Sequence, residues 1–374
     1  MAFSDKNREE LEQRGYTVVE EVLTVEECDE YIREYKDWIA SNFNQGQFPH
    51  CKQSVIQRYK IGHLAPTWNV RLKAKPVFEE IWGTNELLTS FDAVIICRPP
   101  EESEEKFYSS NSGWLHINQG VGRLGLHAYP GAVYLEDADN DDWVFEALDS
   151  SHAFFEDFFE AFTAERQESL KSDDYMRLED HHISWFRERG CIRKRVPVPR
   201  GAILLWDSRL VHGSARPMQG RKHPGRWRWA VIVCMTPAAW ADKESIRLKK
   251  KAYRELRMTS HWPSQAIRLL PENLPEKAAC EKRPLKDLPL VAKTMEAMQL
   301  AGVVPYRKNL TRLLEKGASG ALGGAAHRPR WSPDYQPPKD SFDPDNSWVG
   351  IAVFCGVVSL LSALVYGLVY ASAK

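Results

Sequence analysis

Short apolar runs separated by polar turn residues dominate the middle of the chain. The runs are rich in β-branched and aromatic side chains, and each is about the length of a buried strand. The five clearest are DAVIICR (92–98), GAVYLED (131–137), WVFEAL (143–148), GAILLWD (201–207) and WAVIVCMT (229–236). Several short strands spaced in this way are typical of an antiparallel sandwich or barrel. The pattern predicts a mainly β domain.

Helical patterns flank these strands. A polar helix is expected near 4–14, ending at Gly15, because glycine readily adopts the left-handed conformation that terminates helices. The strand-like YTVVEEVL follows, and Thr24-Val-Glu-Glu27 forms a capping box that begins a second helix. HAFFEDFFEAF (152–162) predicts an aromatic-rich helical insert between strands. The fold class is therefore mainly β with flanking helices.

A basic helix is predicted over residues 242–257, with Ile246, Tyr253 and Leu256 facing inward. We interpret its many lysines and arginines as a solvated face, which is the usual role of such a run. The alternative is contact with anionic lipid, where each charge contributes about 1 kcal/mol. The pair His181-His182 lies in a polar stretch, RLEDHHISWF, that predicts a loop.

The end of the chain has the pattern of a membrane span. Residues 347–373 contain no charged side chain, and only Lys374 follows. At about 1.5 Å per residue, such a helix would cross a hydrocarbon core of roughly 30 Å. Trp348, Tyr366 and Tyr370 lie toward its ends, where aromatic rings favour the interface. With no apolar segment at the N-terminus, we expect a tail-anchored single-pass protein with its domain in the cytosol, in the endoplasmic reticulum or a related membrane.

The predicted organisation is therefore one domain over residues 1–316, a flexible linker over 317–346 and a transmembrane helix over 347–373. The linker prediction rests on its Gly, Ala and Pro content. Small residues at every fourth position of the span would let two helices pack in lipid, which predicts a homodimer contact, unless such helices are simply rich in small residues. They are Cys355, Ser359, Ala363, Gly367 and Ala371.

Composition excludes several functional classes. Of the 374 residues, 43% are hydrophobic and 27% are charged, which is ordinary for a globular protein. The 50 basic and 51 acidic side chains leave a net charge of -1, so no nucleic-acid partner is expected. The seven cysteines are scattered and form no C-x-x-C pair, which argues against a disulfide framework or a zinc ribbon.

Two histidines at the edges of predicted strands are the strongest candidates for chemistry. His116 lies in GWLHINQG, and His212 follows an apolar run in LLWDSRLVHGS. Arg228 opens the next run, and a buried arginine there needs a carboxylate partner, which a small dicarboxylate substrate would supply. Two imidazoles and one carboxylate form the facial site of mononuclear iron oxygenases. The histidines and Arg228 therefore raise the hypothesis of an iron enzyme.

The ordered series of segments resembles the phytanoyl-CoA dioxygenase family of Fe(II)/2-oxoglutarate oxygenases. RGYTVVEEVLTVEECDEYI resembles that family's opening strand and helix, and DSSHAFFEDF resembles its Gly-Ser-His-containing segment. GAILLWDSRLVHGS resembles the stretch that carries its distal iron histidine, and RWRWAVIVCMTP the following strand with its 2-oxoglutarate arginine. The similarity covers roughly residues 10–265, including TSHWP (259–263) near the domain end.

The resemblance implies a double-stranded β-helix, a cupin-like jelly-roll barrel, with Fe(II) as cofactor and 2-oxoglutarate as co-substrate. His116 and His212 match the iron histidines. Arg228 best matches the 2-oxoglutarate arginine, with Arg221 and Arg226 as alternatives. The implied substrate is a small or lipid-like molecule.

One position departs from the family pattern. The family has His-x-Asp, whereas this chain has His116-Ile117-Asn118. Asparagine offers a metal only a neutral carbonyl oxygen, so iron should bind less tightly. Three interpretations stay open: a hydroxylase in which Asn118 or a bound substrate completes the site, a halogenase with halide in place of the carboxylate, and a non-catalytic binding or scaffold protein.

Two further residues are assigned structural roles. His152 is expected to pack or hydrogen-bond in the core rather than to ligate a metal. Asp207 precedes His212 by five residues, and that odd offset would put it on the opposite face of a strand. Asp207 is therefore a poor substitute for the missing carboxylate.

Overall fold

The computed structural model describes residues 3–109, 114–123, 125–171, 174–276 and 278–306. In these ranges the helices are α1 (Asp5–Arg14), α2 (Val25–Asn42), α3 (Ala65–Trp82), α4 (Phe155–Ala161), α5 (Thr163–Lys171), α6 (Asp180–Glu188), α7 (Lys243–Glu255) and α8 (Met295–Leu300). The strands are β1 (Tyr16–Val19), β2 (Val55–Ile56), β3 (Leu87–Thr89), β4 (Val94–Cys97), β5 (His116–Ile117), β6 (Gly131–Tyr134), β7 (Val144–Leu148), β8 (Met176–Arg177), β9 (Arg193–Val196), β10 (Ile203–Trp206), β11 (His212–Ala215), β12 (Arg228–Val233) and β13 (Met235–Pro237).

Two antiparallel sheets form the centre of the fold. The larger has the order β1-β10-β6-β12-β4-β2, and the smaller has the order β8-β5-β11-β7-β9. Of the strands from β4 to β12, the larger sheet takes β4, β6, β10 and β12, and the smaller takes the rest. The chain crosses between the sheets after each of these strands except from β7 through β8 to β9, which all lie in the smaller sheet. The strands β13 and β3 form a separate antiparallel pair. The predicted mainly β architecture with antiparallel sheets and flanking helices is confirmed.

Both faces of the larger sheet are covered, which explains why its strands are continuous apolar runs. On β10, Leu204 and Trp206 face the smaller sheet and pack with residues such as Phe145 of β7. The alternate residues Ile203 and Leu205 pack in a second core with helices α2 and α3. Because successive side chains of a strand point to opposite faces, a strand buried on both sides needs apolar residues throughout.

The predicted helix ends are present. Gly15 follows α1 with φ of 82°, in the left-handed region, and its N–H donates to Leu11 O. At the start of α2 the Thr24 hydroxyl accepts from the Glu27 N–H at 3.2 Å, while the Glu27 carboxylate accepts from the Thr24 N–H at 3.0 Å. These reciprocal bonds satisfy two N–H groups that a helix start otherwise leaves unpaired.

The predicted localisation as a single-pass membrane protein is wrong. In the ranges described above, no helix is both long and apolar enough to cross a bilayer, and the longest, α2 and α3, carry charged side chains along their length. The predicted anchor at 347–373 with its small-residue stripe, the linker at 317–346 and the boundary at residue 316 lie outside the described residues.

Two local predictions are also corrected. His181 and His182 lie in helix α6 rather than in a loop, because Glu179 and His182 form reciprocal hydrogen bonds that begin that helix. On α7 Tyr253 is buried as predicted, whereas Ile246 is only half-buried. Lys249, assigned to a solvated face, is instead 1% exposed and its ammonium donates to Thr89 O above the Phe91 ring.

Replacing Lys249 with methionine should stabilise the protein at pH 7. Burial, with the nearby Arg71 guanidinium adding to it, lowers the pKa of Lys249 from 10.5 to about 7. The unfolded chain therefore binds more protons than the folded one between pH 7 and 10.5, so wild-type stability rises with pH across that window. Removing a poorly compensated buried cation is expected to raise the free energy of unfolding by about 1–4 kcal/mol.

Urea unfolding at pH 7 and pH 9 measures both effects. The Lys249→Met variant should be the more stable at pH 7, with the difference shrinking at pH 9. Lys251, also on α7, has a side chain 42% exposed, so Lys251→Met should change stability by less than about 0.5 kcal/mol. A Lys249→Met variant less stable than wild type at pH 7 would contradict this reasoning.

Candidate functional site

The two candidate histidines face each other across neighbouring strands. His116 on β5 and His212 on β11 are directly paired in register. Their ring centroids lie 4.3 Å apart with an interplanar angle of 50°. Only 6% of His116 and 4% of His212 is exposed. Residues almost a hundred positions apart in the chain thus form one buried imidazole pair.

Both imidazoles present the same nitrogen to the site. Nδ1 of His116 lies 3.3 Å from Trp114 O, and Nδ1 of His212 lies 2.8 Å from Leu210 O. A carbonyl only accepts, so Nδ1 carries the proton in each ring and Nε2 keeps its lone pair. Metal-binding histidines commonly donate their second N–H to a backbone carbonyl in this way.

The rings stay neutral at physiological pH. Burial lowers the pKa of His212 to about 4. Burial, with the neighbouring His212 adding to it, holds the pKa of His116 well below its usual 6.5. Because a metal ion binds only the unprotonated nitrogen, this pair is ready to ligate without first losing protons.

Asn118 follows His116 by two positions, and its side chain contacts Trp206, a residue that packs on His212. Its Oδ1 accepts a hydrogen bond of 3.4 Å from the indole N–H of Trp206. The Trp206 ring also lies 5.1 Å from the His212 ring and 5.2 Å from the Phe145 ring. A carbonyl oxygen has two lone pairs, so one remains for a further partner. The three side chains that the sequence predicts as metal ligands therefore offer two neutral nitrogens and one neutral oxygen.

Arg228, at the first position of β12, lies inside the fold between the two sheets. It is 3% exposed; its Nη1 donates to Ser214 Oγ at 2.8 Å and its Nη2 donates to the Tyr134 hydroxyl. Nε has no hydrogen-bond partner. Across the described part of the chain no carboxylate lies within ion-pair distance of this guanidinium. A buried cation without a carboxylate suits an anionic ligand.

Strand geometry places the Arg228 guanidinium close to the imidazole pair. Ser214 follows His212 by two positions on β11, so their side chains lie on the same strand face about 7 Å apart. The guanidinium that binds Ser214 is thus one step along the strand from the imidazole pair. A five-carbon dicarboxylate is long enough to reach from one to the other.

The two alternative arginines are engaged elsewhere. Arg221 forms ion pairs with Glu101 and Asp142, both at 2.9 Å. Arg226 pairs with Asp139 and Asp142, both at 2.8 Å. Because their guanidinium groups already neutralise carboxylates of this chain, neither is available to a dicarboxylate ligand, whereas Arg228 is.

Aromatic rings form the walls around the imidazoles. Trp114 stacks on His116 with centroids 4.5 Å apart, and Tyr175, 42% exposed, lies 5.0 Å from the same ring. Phe145 stacks on His212 at 5.5 Å. The more exposed of these rings therefore lie on the His116 side of the pair.

Two other clusters of metal-ligating side chains occur in the described ranges, and neither suits a metal. Asp139, Asp141 and Asp142 are neutralised by Arg221, Arg226 and the Lys222 N–H. In the second cluster, with Glu165 and His181, His182 accepts the Glu179 N–H at Nδ1. Its Nε2 therefore carries the proton that the Glu165 carboxylate accepts at 3.2 Å, and offers a metal no lone pair.

The two residues assigned structural roles lie outside the donor set. Asp207 is 2% exposed and pairs with Arg209 through two hydrogen bonds of 2.7 and 3.0 Å. His152 is buried, with Nε2 3.1 Å from Glu12 O. His152 therefore has the structural role expected from the sequence. Asp207 is kept out of the predicted donor set by its pairing with Arg209 and not by strand alternation, because a turn separates it from His212.

Sequence reasoning missed four residues of the site. The only sequence signal for Ser214 and Tyr134 was the alternation of side chains along a strand, which places each of them on the face that points between the two sheets. Trp206 and His261 lie in two segments quoted for the resemblance, GAILLWDSRLVHGS and TSHWP, but nothing in those segments marked them as site residues. His261 interacts electrostatically with His116 and His212, and burial lowers its pKa to about 3.

Comparisons with known proteins give distant likenesses. No family model matches the chain. Ava biosynthesis cluster protein O of Aspergillus versicolor is 24% identical over 277 residues, which cover 70% of this chain and 86% of that protein. AviO1 from Streptomyces viridochromogenes Tue57 is 16% identical with a TM-score of 0.39, covering 63% of this chain and 96% of that one.

HygX from Streptomyces hygroscopicus, solved with nickel and 2-oxoglutarate bound, is 15% identical with a TM-score of 0.37, covering 63% and 87% of the two chains. It was also solved with iron bound. Iron and 2-oxoglutarate are the cofactor and co-substrate that the sequence predicts for this chain. At these identities and TM-scores, the likenesses by themselves decide neither the family nor the activity of the chain.

Proposed function

We propose that this protein is a non-haem Fe(II)/2-oxoglutarate-dependent oxygenase that hydroxylates a small molecule. The observation that carries the proposal is the buried Arg228 guanidinium, which has no carboxylate partner in the described ranges and lies one strand step from two neutral imidazoles. The division of eight strands into four on each of two antiparallel sheets supports a double-stranded β-helix, the fold expected of such an enzyme.

The chain's own residues fit the implied metal. His116 and His212 would hold Fe(II) through Nε2, with their Nδ1 protons fixed on backbone carbonyls. The Asn118 oxygen would be the third protein donor. When bound, Fe(II) and 2-oxoglutarate would supply the electrons that activate molecular oxygen, with 2-oxoglutarate leaving as succinate and carbon dioxide. The aromatic walls exclude water from the imidazole pair on the His212 side.

Arg228 would position the co-substrate. Its guanidinium would bind the distal carboxylate of 2-oxoglutarate, with the Ser214 and Tyr134 hydroxyls fixing the plane of the guanidinium. The other end of the molecule would then reach the imidazole pair. The name of the Aspergillus versicolor relative, a biosynthesis cluster protein, supports a small-molecule substrate.

A second candidate function follows from Asn118. With no negative charge in the donor set, the pocket would hold 2-oxoglutarate or a similar dianion without turning it over. The protein would then be a binding module built on an oxygenase fold. The halogenase interpretation is less favoured, because the Asn118 side chain occupies the position that a halide would need.

Turnover of 2-oxoglutarate separates these candidates. The full chain, incubated with Fe(II), 2-oxoglutarate and oxygen, should form succinate above background, because such oxygenases decarboxylate slowly even without substrate. His212→Ala is the matched control and should reduce succinate to the level of iron alone. Succinate from Asn118→Asp but not from wild type would support the binding module, and none from either would sink the enzyme proposal.

A further inference from the structure

The hydrogen bond between Trp206 and Asn118 fixes which atom of the Asn118 amide faces the indole. An indole N–H is a donor only, so the Asn118 atom facing it is the oxygen rather than the NH₂ group. Trp206 is 6% exposed, and its ring packs against Phe145 and His212 at 5.2 and 5.1 Å. The donor is therefore held rigidly while the Asn118 side chain is only half-buried.

We propose that Trp206 is a positioning residue that fixes the amide of Asn118 with its oxygen toward the imidazole pair, so that a neutral side chain can act as the third metal donor. This inference rests on the proposed function. It assigns a role to a residue outside the set of ligands, and it concerns the one position where the chain departs from the expected His-x-Asp pattern.

The alternative orientation of the amide would block the site. His116 and His212 both present an unprotonated Nε2, which accepts hydrogen bonds. An amide turned by 180° would direct its NH₂ toward those acceptors and place hydrogen atoms where the metal belongs. In the same orientation its NH₂ would face the indole N–H, leaving two donors opposed. The Trp206 N–H thus raises the energy of the amide orientation that would exclude a metal.

A carboxylate at position 118 would not need the Trp206 N–H to orient it. Its two oxygens are equivalent and neither carries a hydrogen when ionised, so either rotation presents an acceptor to the metal. The indole N–H should therefore matter for metal binding when position 118 is asparagine and hardly at all when it is aspartate. This difference separates positioning from packing.

A double-mutant cycle on the full chain tests the inference, with Co(II) as a spectroscopic probe for the metal. Trp206→Phe keeps an aromatic ring against Phe145 and His212 but removes the N–H. We expect it to weaken Co(II) binding about tenfold, the worth of one hydrogen bond, in the wild-type background. In the Asn118→Asp background the same change should alter Co(II) affinity by less than about twofold.

The outcomes of the double-mutant cycle distinguish a positioning role of Trp206 from a packing role. Equal losses in both backgrounds would show that Trp206 acts through packing, which would overturn the inference while leaving the proposed function intact. No loss in the wild-type background would overturn it as well. Wild type that binds no Co(II), with or without 2-oxoglutarate, would overturn the proposed function and this inference together. The absorption bands of bound Co(II) report its geometry, so they should shift with Trp206→Phe only when position 118 is asparagine.

Discussion

Replacement of Arg228 by methionine should raise the Kd for 2-oxoglutarate at least about 100-fold. The variant removes the buried guanidinium, so the distal carboxylate of 2-oxoglutarate would be desolvated without a partner. Losing one member of a buried charged pair costs about 2–5 kcal/mol. The affinity is measured by calorimetry with saturating Co(II) in place of iron. Co(II) binding without 2-oxoglutarate should be unchanged, because Arg228 is not in the donor set.

Arg226→Met is the matched control for this experiment. Arg226 precedes Arg228 by two positions, yet its guanidinium pairs with Asp139 and Asp142. Its removal should leave the Kd for 2-oxoglutarate within about twofold of wild type. Equal losses in the two variants, or a loss in Arg226→Met alone, would show that Arg228 is not the residue that binds 2-oxoglutarate.

Replacement of Asn118 by aspartate should raise metal affinity in the absence of 2-oxoglutarate by at least about 100-fold. The change adds one negative charge beside a divalent cation in a buried site, where a charge pair is worth several kcal/mol. In wild type the protein donors are all neutral, so the first anionic ligand must be the co-substrate. Metal and 2-oxoglutarate should therefore bind with strong positive coupling in wild type and with weaker coupling in Asn118→Asp.

Co(II) titrations with and without 2-oxoglutarate measure this coupling. By linkage, the factor by which 2-oxoglutarate tightens Co(II) equals the factor by which Co(II) tightens 2-oxoglutarate, which provides an internal check. Asn118→Ala controls for the loss of the oxygen donor and should weaken Co(II) binding. A coupling factor no larger in wild type than in Asn118→Asp would contradict the role given to the neutral donor set.

Much of the fold could be predicted because its strands are buried on both faces. Continuous runs such as those of β10 and β12 have no polar alternation to obscure them, and the turns between them are marked by polar residues. The capping box at Thr24 and the stop at Gly15 are local signals, so they needed no knowledge of tertiary contacts. Helix α6 was missed because its first turn depends on a hydrogen bond between the Glu179 backbone and the His182 ring.

The site was predicted less completely, because pairing between strands that are far apart in the chain leaves little trace in the sequence. His116 and His212 could be named from their positions at strand edges, but their direct pairing depends on the register of β5 and β11. The sequence left three arginines open, and only the ion pairs of Arg221 and Arg226 distinguish them from Arg228. Lys249 was misjudged for the same reason, since helical charge patterns do not show which lysine a neighbouring core will bury.

The most direct test of the central claim is an anaerobic titration of Fe(II) into the full chain with 2-oxoglutarate present. A metal held by His116, Asn118 and His212 together with bound 2-oxoglutarate should give a visible charge-transfer band in wild type, and His116→Ala should abolish it. A band that is absent in wild type and appears only in Asn118→Asp would contradict the claim that the neutral donor set supports a working iron site.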